Sequence, residues 1–206
     1  MTEDMIVHGV EWTVKELFVY PNEFIYWSIQ IVMYPYMTGL VAGAFVLSSL
    51  YHVFGQKDLK EIAQFSLVFS LALLPVAALP LLLHLQQPLR AMEPLLTPHF
   101  TSAIAAFGIV FTVYGLIVVS EIWFVYREYF VHQLEALRGA SGFWNAQRRI
   151  AYKVLTFGAK DLSDDAIKVD HKAAKILAGV GIPVACFLHG YAGFIFGSVK
   201  ANALWM

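Results

Sequence analysis

The chain has one cysteine in 206 residues, Cys186, in the middle of an apolar run. That excludes a disulfide within the chain, and it excludes a thiolate set for an iron–sulfur cluster or a structural zinc. Charge is scarce too: 14% of residues are charged, against about 25% in an ordinary soluble domain. A net charge of −1 with no basic tail makes nucleic acid an unexpected partner. What the chain has in excess is apolar surface, with 59% of its residues hydrophobic. A soluble core of this length cannot absorb that much, so lipid must be the solvent for much of it.

Four apolar runs, at residues 24–54, 62–85, 100–126 and 173–199, each reach the roughly 20 residues that cross a bilayer. The expected fold is all-α: an integral-membrane four-helix bundle over residues 23–206. The polar connection 127–172 is expected to be a partly helical loop, with pieces around 128–137 and 144–155 and an acidic turn at 161–165. Residues 86–99 carry Pro88, Pro94 and Pro98 and read as a non-helical cap. Residues 1–22 open with Glu3 and Asp4 and lack a small-residue cleavage site, so they do not read as a signal peptide. Ile6, Val10, Val14 and Leu17, with Trp12 and Phe18, instead predict an amphipathic helix lying at the interface.

Eleven of the fourteen lysines and arginines fall in or beside the first and third loops; Lys15, Arg90 and Lys200 remain for the other side. The positive-inside rule places the two basic loops in the cytoplasm and both termini outside. Depth then follows from the helical rise. Tyr34 lies about 15 Å in from the outer end of the first span, and His189 and Tyr191 about 12–15 Å in from the outer end of the fourth. His84 ends the second span on that side, with Glu23, Gln87, Arg90 and His99 nearby. Hydrogen-bonding and proton-carrying groups therefore converge on the outer half.

A quinone site needs that arrangement: a donor for each ring carbonyl, a proton source, and an apolar exit for the tail. Tyr34, His84, His189 and Tyr191 are the candidate ligands. Two residues apart on a helix means about 200° around its axis, so His189 and Tyr191 cannot both face one ring unless the backbone there is distorted. His84 and Tyr191 rank as direct donors and His189 as a relay or helix–helix bond. Glu121 is the sole carboxylate inside a span; it reads either as a station on a proton path or as an interfacial partner of Arg127 or Lys175. Gln30, Thr38, Ser66, Ser70 and Thr112 read as packing groups. Gly39, Gly43 and Ala44, with Gly179 to Gly197 on the fourth helix, read as close-contact faces. Pro35 and Pro183 would open space beside the candidate site.

Trp27 to Ala44, His84-Leu-Gln-Gln-Pro-Leu-Arg90, His189-Gly-Tyr-Ala-Gly193 and the Ala201-to-Trp205 ending carry a resemblance. Together they resemble the first bundle of the NrfD / polysulfide-reductase membrane-subunit family. The family usually has Asp-Leu-Gly-Arg-Pro after its second helix; here His84 stands at the acidic position and Gln86-Gln87 replace Gly-Arg. The resemblance implies a subunit in the bacterial or archaeal cytoplasmic membrane. It would exchange electrons between menaquinone or ubiquinone and a ferredoxin-like iron–sulfur subunit, with further redox subunits attached and no haem or metal of its own. Family members generally have eight or more spans. The resemblance therefore implies a shortened product, a piece of a longer protein, or half of a split subunit.

Three other classes compete. A cytochrome b needs facing histidines at matched depth, and His84 and His189 differ by about 10 Å on the helical rise. A passive anchor would hold a redox partner on the membrane without a quinone site. A transporter would be expected to show an internal inverted repeat, and none is visible.

Overall fold

The computed structural model describes residues 29–84, 91–98 and 103–198. The expected interfacial segment 1–22 and residues 86–90 and 99 of the cap lie outside them. Among the described residues there is no strand. Six helices follow in order: α1 (Ile29–His52), α2 (Lys60–His84), α3 (Glu93–Leu96), α4 (Ala103–Ala136), α5 (Phe143–Leu155) and α6 (Asp164–Ser198). A 3-10 turn, Lys57–Leu59, leads into α2. The chain is all-α as expected, but residues 91–98 include the one-turn helix α3, so the cap is helical in part.

α1, α2, α4 and α6 are each long and apolar enough to cross a membrane. They close into a ring in which α1 packs on α2 and α6, and α4 packs on α6 and α2. Val41, Phe45, Leu67, Leu74, Tyr114, Val118, Ala185 and Leu188 form the common core. Only 22–33% of each helix's most apolar stretch is buried. Large apolar side chains such as Phe65, Leu79, Leu116, Ile176 and Phe187 point outward. In water that surface would be ruinous; in lipid it is the matched solvent. Pro35, Pro75, Pro80 and Pro183 all lie inside helices that continue through them.

Two helices outrun the sequence-based spans. α4 continues ten residues past Tyr126, absorbing the segment expected as a separate helical piece, because no glycine or proline interrupts residues 127–136. It ends before Gly139, whose φ of +81° is a left-handed conformation that glycine adopts without strain. α6 begins at Asp164 rather than near residue 173. The Ser163 hydroxyl accepts the Ala166 N–H at 3.4 Å, and Asp164 and Asp165 face the positive end of the helix dipole. At about 1.5 Å per residue, α4 and α6 each run roughly 50 Å, so both project well beyond a roughly 30 Å hydrocarbon layer. α5 folds back along the projecting part of α4: Tyr152 packs on Tyr129 and Phe130, and the Trp123 indole N–H donates to the Leu155 carbonyl at 2.8 Å.

Candidate functional site

The four candidate quinone ligands lie at one end of the ring, on different surfaces. Tyr34 is buried, its ring edge-on to Phe107 of α4 at 6.0 Å. His84 is half-buried at the last residue of α2. His189 is exposed, yet its imidazole leans on α1: a Cβ built on Gly39 would lie 3.3 Å from His189 Cε1. Gly39 is thus the position that lets the histidine approach the α1 backbone. Tyr191 is half-buried in an aromatic strip on α6, stacked on Phe187 at 5.6 Å and tilted against Phe194 at 5.7 Å. The angular separation of His189 and Tyr191 holds in the folded helix, with one meeting α1 and the other lying among its own helix's aromatics. A cavity of about 10 Å³, lined by Thr38, Val41, Ala42, Leu74, Tyr114, Ala185, Leu188 and His189, separates His189 from the core. That is about the room one water needs.

Around and beyond this cavity the interior carries polar groups at successive levels. Thr38 Oγ1 donates to the Tyr34 and Pro35 carbonyls, both at 3.1 Å, so the buried hydroxyl is satisfied within its own helix. Ser70 of α2 donates across to the Val41 carbonyl of α1 at 3.2 Å, and its hydroxyl lies 3.4 Å from that of Tyr114 on α4. Three helices are therefore tied at one depth. Ser48 and Ser49 return hydrogen bonds to the Phe45 carbonyl at 2.7 and 3.0 Å. Thr38 and Ser70 are the packing groups the sequence suggested; Ser48 and Ser49, fully buried, were not singled out.

Glu121 is fully buried, and neither carboxylate oxygen has a hydrogen-bond partner among the described residues. The expected alternative pairing with Arg127 does not form. Arg127 turns instead to Asp170 of α6, with Nε and Nη2 at 2.7 and 2.6 Å from the same carboxylate oxygen. Its Nη1 donates to the Asp161 carbonyl at 2.7 Å. Both side chains are buried, so the pair is held by good geometry and an additional acceptor rather than by solvent. This clamp was missed at the sequence level. Arg127 and Asp170 each lie within four residues of the basic-loop end of an expected span, and that shared depth was the available signal.

No group of three or more His, Cys, Asp or Glu residues is placed to hold a metal ion among the described residues. Residues 20–206 match the family described as polysulphide reductase, NrfD. The chain belongs to that family. With four apolar helices on a family of this kind, it is a multi-pass membrane protein. It is 32% identical, over 87% of its length, to a selenate reductase subunit of Mesobacillus selenatarsenatis, covering 42% of that protein. It is 26% identical, again over 87% of its length, to a protein of Halobacterium salinarum named as a candidate membrane subunit of a dimethyl sulfoxide reductase, covering 37% of it. The chain thus spans about two-fifths of the length of these two relatives. No solved structure matches it.

Proposed function

We propose that this chain is the quinone-reactive membrane part of a reductase complex. It would exchange electrons between menaquinone or ubiquinone in the bilayer and a ferredoxin-like iron–sulfur subunit docked at the outer end of the bundle. The family match over residues 20–206 carries this reading, and the two relatives, both named as reductase subunits, support it. The strong excess of basic residues in two loops supports a cytoplasmic position for those loops and an outer position for the candidate ligands.

When bound, a quinone supplies reversible two-electron, two-proton chemistry. The chain supplies donors and an apolar approach. The space beside His189 holds about 10 Å³ and does not fit a quinone ring, so the ring belongs at the lipid-facing surface. There His189 is exposed, and Tyr191 and His84 are half-buried. His84 and Tyr191 lie on α2 and α6, which do not pack on each other among the described residues. Each is therefore proposed as a donor to a ring at its own face of the bundle, with Tyr34 buried behind and His189 relaying protons toward the Thr38–Tyr114 cavity. Glu121 is the proposed inner station of that proton path. Holding an unpartnered charge at such a site costs far more than holding a proton, so a carboxyl there can take up and release one.

The small volume beside His189 favours one alternative: a passive anchor with no quinone site of its own. The two readings separate on quinone binding and quinol-linked turnover in membranes. Loss of one direct hydrogen bond in a desolvated site weakens binding by about 5- to 150-fold, the effect expected for His84→Ala and for Tyr191→Phe. Wild-type turnover in both variants, with assembly intact, would leave the anchor as the better account. For the proton path, Glu121→Gln is expected to slow turnover while leaving quinone affinity unchanged.

A further inference from the structure

A second concavity, an open cleft, lies at the opposite end of the bundle. Val131, Leu134, Glu135 and Arg138 of α4 and its C-terminal turn, Arg149, Ile150 and Lys153 of α5, and Lys160 enclose a cleft of about 340 Å³. That volume falls within the range of small-ligand sites, roughly 300–1,000 Å³. Its floor is apolar, since Val131 and Leu134 are buried. Four cations and a single carboxylate line it.

The cations have no internal explanation. None of the side chains of Arg138, Arg149, Lys153 and Lys160 makes a hydrogen bond or ion pair with another described residue. A solvated helix face usually spreads its charges or alternates their sign. Here the packing of α5 back along α4 brings like charges into one concave space, where their fields add and repulsion opposes the fold. An anion in the cleft reverses the sign of that term. Arginine forks suit a phosphate's oxygens in pairs and lysines add compact charge. The Val131, Leu134 and Ile150 wall accommodates a short apolar portion.

We propose that this cleft is a binding site for a phosphate-bearing anion with an apolar portion, either a soluble organophosphate or the head group of an acidic phospholipid. Both sources can reach it. Val131 and Arg138 follow Trp123 by eight and fifteen residues, about 12 and 22 Å of helix. A tryptophan at that position marks the interface, and the head-group layer rises roughly 5–8 Å from the hydrocarbon. The end at Val131 and Lys153 therefore sits close above the head groups, while the end at Arg138 opens to water. The assignment is independent of the quinone reading and of which side of the membrane the basic loops occupy.

The test uses the full chain, purified in neutral detergent and also in nanodiscs of phosphatidylcholine with or without phosphatidylglycerol. Soluble glycerol 3-phosphate and inorganic phosphate are titrated by calorimetry, and retained phosphatidylglycerol is counted by native mass spectrometry. Saturable binding in either arm is expected to fall at least tenfold in Arg149→Gln/Lys153→Gln, and separately in Arg138→Gln/Lys160→Gln, at wild-type helicity and thermal stability. Ile150→Ala should weaken glycerol 3-phosphate or lipid but spare inorganic phosphate. Arg148→Gln, on α5 but outside the cleft, should bind as wild type. Binding confined to glycerol 3-phosphate identifies a soluble ligand, and binding confined to phosphatidylglycerol identifies a head group. No saturable binding in either arm, or an equal loss with Arg148→Gln, overturns the site.

Discussion

The two ends of this bundle place their ionisable residues in opposite ways. At the proposed outer end, His189 is exposed and Tyr191 and His84 are half-buried, and of the four candidates only Tyr34 is buried. At the basic-loop end, Glu121, Arg127 and Asp170 are buried, and two of those three are locked to each other. In a soluble protein one would look for chemistry in the enclosed groups. In lipid the inference turns over: a partner that diffuses within the bilayer arrives at the outer surface of the bundle, so residues that serve it belong there. Buried charge at the other end then mainly fixes how the long helices emerge from the membrane. Glu121 is the exception, buried like the clamp yet without a partner among the described residues.

Breaking the clamp is the largest expected effect. Removing one partner of a buried ion pair strands the other, at about 3–5 kcal/mol. Arg127→Ala and Asp170→Ala should each lower thermal stability sharply and lower the yield of folded protein in membranes. Arg127→Met/Asp170→Leu should recover much of the loss, since an apolar pair of similar size avoids the stranded charge. If the single variants were as stable as wild type, the basic-loop end would not be the structurally held end, and the contrast with the outer end would fail.

Next in size is the closest helix approach. A Cβ on Gly181 of α6 would overlap the Phe45 ring of α1 and come 3.1 Å from Ile117 Cγ2 of α4. Gly181→Ala is therefore an overpacking change of about 1–3 kcal/mol. Gly190, Gly193 and Gly197, further along the same helix, meet nothing within 4 Å, and alanine there should be tolerated to within about 0.5 kcal/mol. A double-mutant cycle of Gly181→Ala with Phe45→Leu checks it; additive effects would mean that the ring is not the obstacle.

The glycines show how far the sequence could be read. Gly39, Gly181 and Gly190 look alike in a small-residue pattern, but one seats an imidazole, one seats a phenyl ring and one faces open space. Only the crossing of the helices tells them apart. The four spans and the all-α class were legible because apolar run length is set by bilayer thickness. The excess length of α4 and α6 was not, because the polar residues beyond the interface read as a separate helical piece around 128–137 and as connecting chain before 173, although nothing in them breaks a helix. The packing role read for Thr38, Ser66 and Ser70 fits their burial, whereas Thr112 is exposed. Azimuth was legible only in part. It separated His189 from Tyr191, but it could not show that His189 would lean on Gly39 or that Arg127 would choose Asp170 over Glu121.

A smaller effect sharpens the same contrast at mid-depth. Ser70→Ala removes the bond to the Val41 carbonyl. Such interhelical bonds in membranes average about 0.6 kcal/mol, with a maximum near 1.7. A measurable loss of thermal stability is expected, smaller than that of Gly181→Ala. His189→Ala, at an exposed position, should change stability by less than about 0.5 kcal/mol while altering quinol-linked turnover. A stability loss at His189 larger than at Ser70 would make the histidine a packing residue and remove its proposed part in proton relay.

The smallest effect lies at the solvent-exposed rim of the clamp. Asp161 gives its backbone carbonyl to Arg127, and its side-chain Oδ1 accepts the Ser163 N–H at 2.9 Å. That backbone hydrogen bond is the main cause that holds its carboxyl below the usual aspartate range, with the Arg127 charge adding to it. A carboxyl with a depressed folded pKa contributes stability that is fully present above the unfolded value, about 3.9, and is lost as pH falls through the folded one. Protection of the first turn of α6, where the Ile167 N–H donates to the Ser163 carbonyl at 3.0 Å, should therefore be flat from about pH 8 to about 5. It should begin to fall only below about 4. Hydrogen exchange of the peptide spanning residues 160–168, corrected for the intrinsic rate, measures it. Asp161→Asn keeps an acceptor for Ser163 and should flatten the acid limb. A drop already between about pH 7 and 5, or an acid limb unchanged in Asp161→Asn, would assign the transition to another group and detach this turn from the Arg127 clamp.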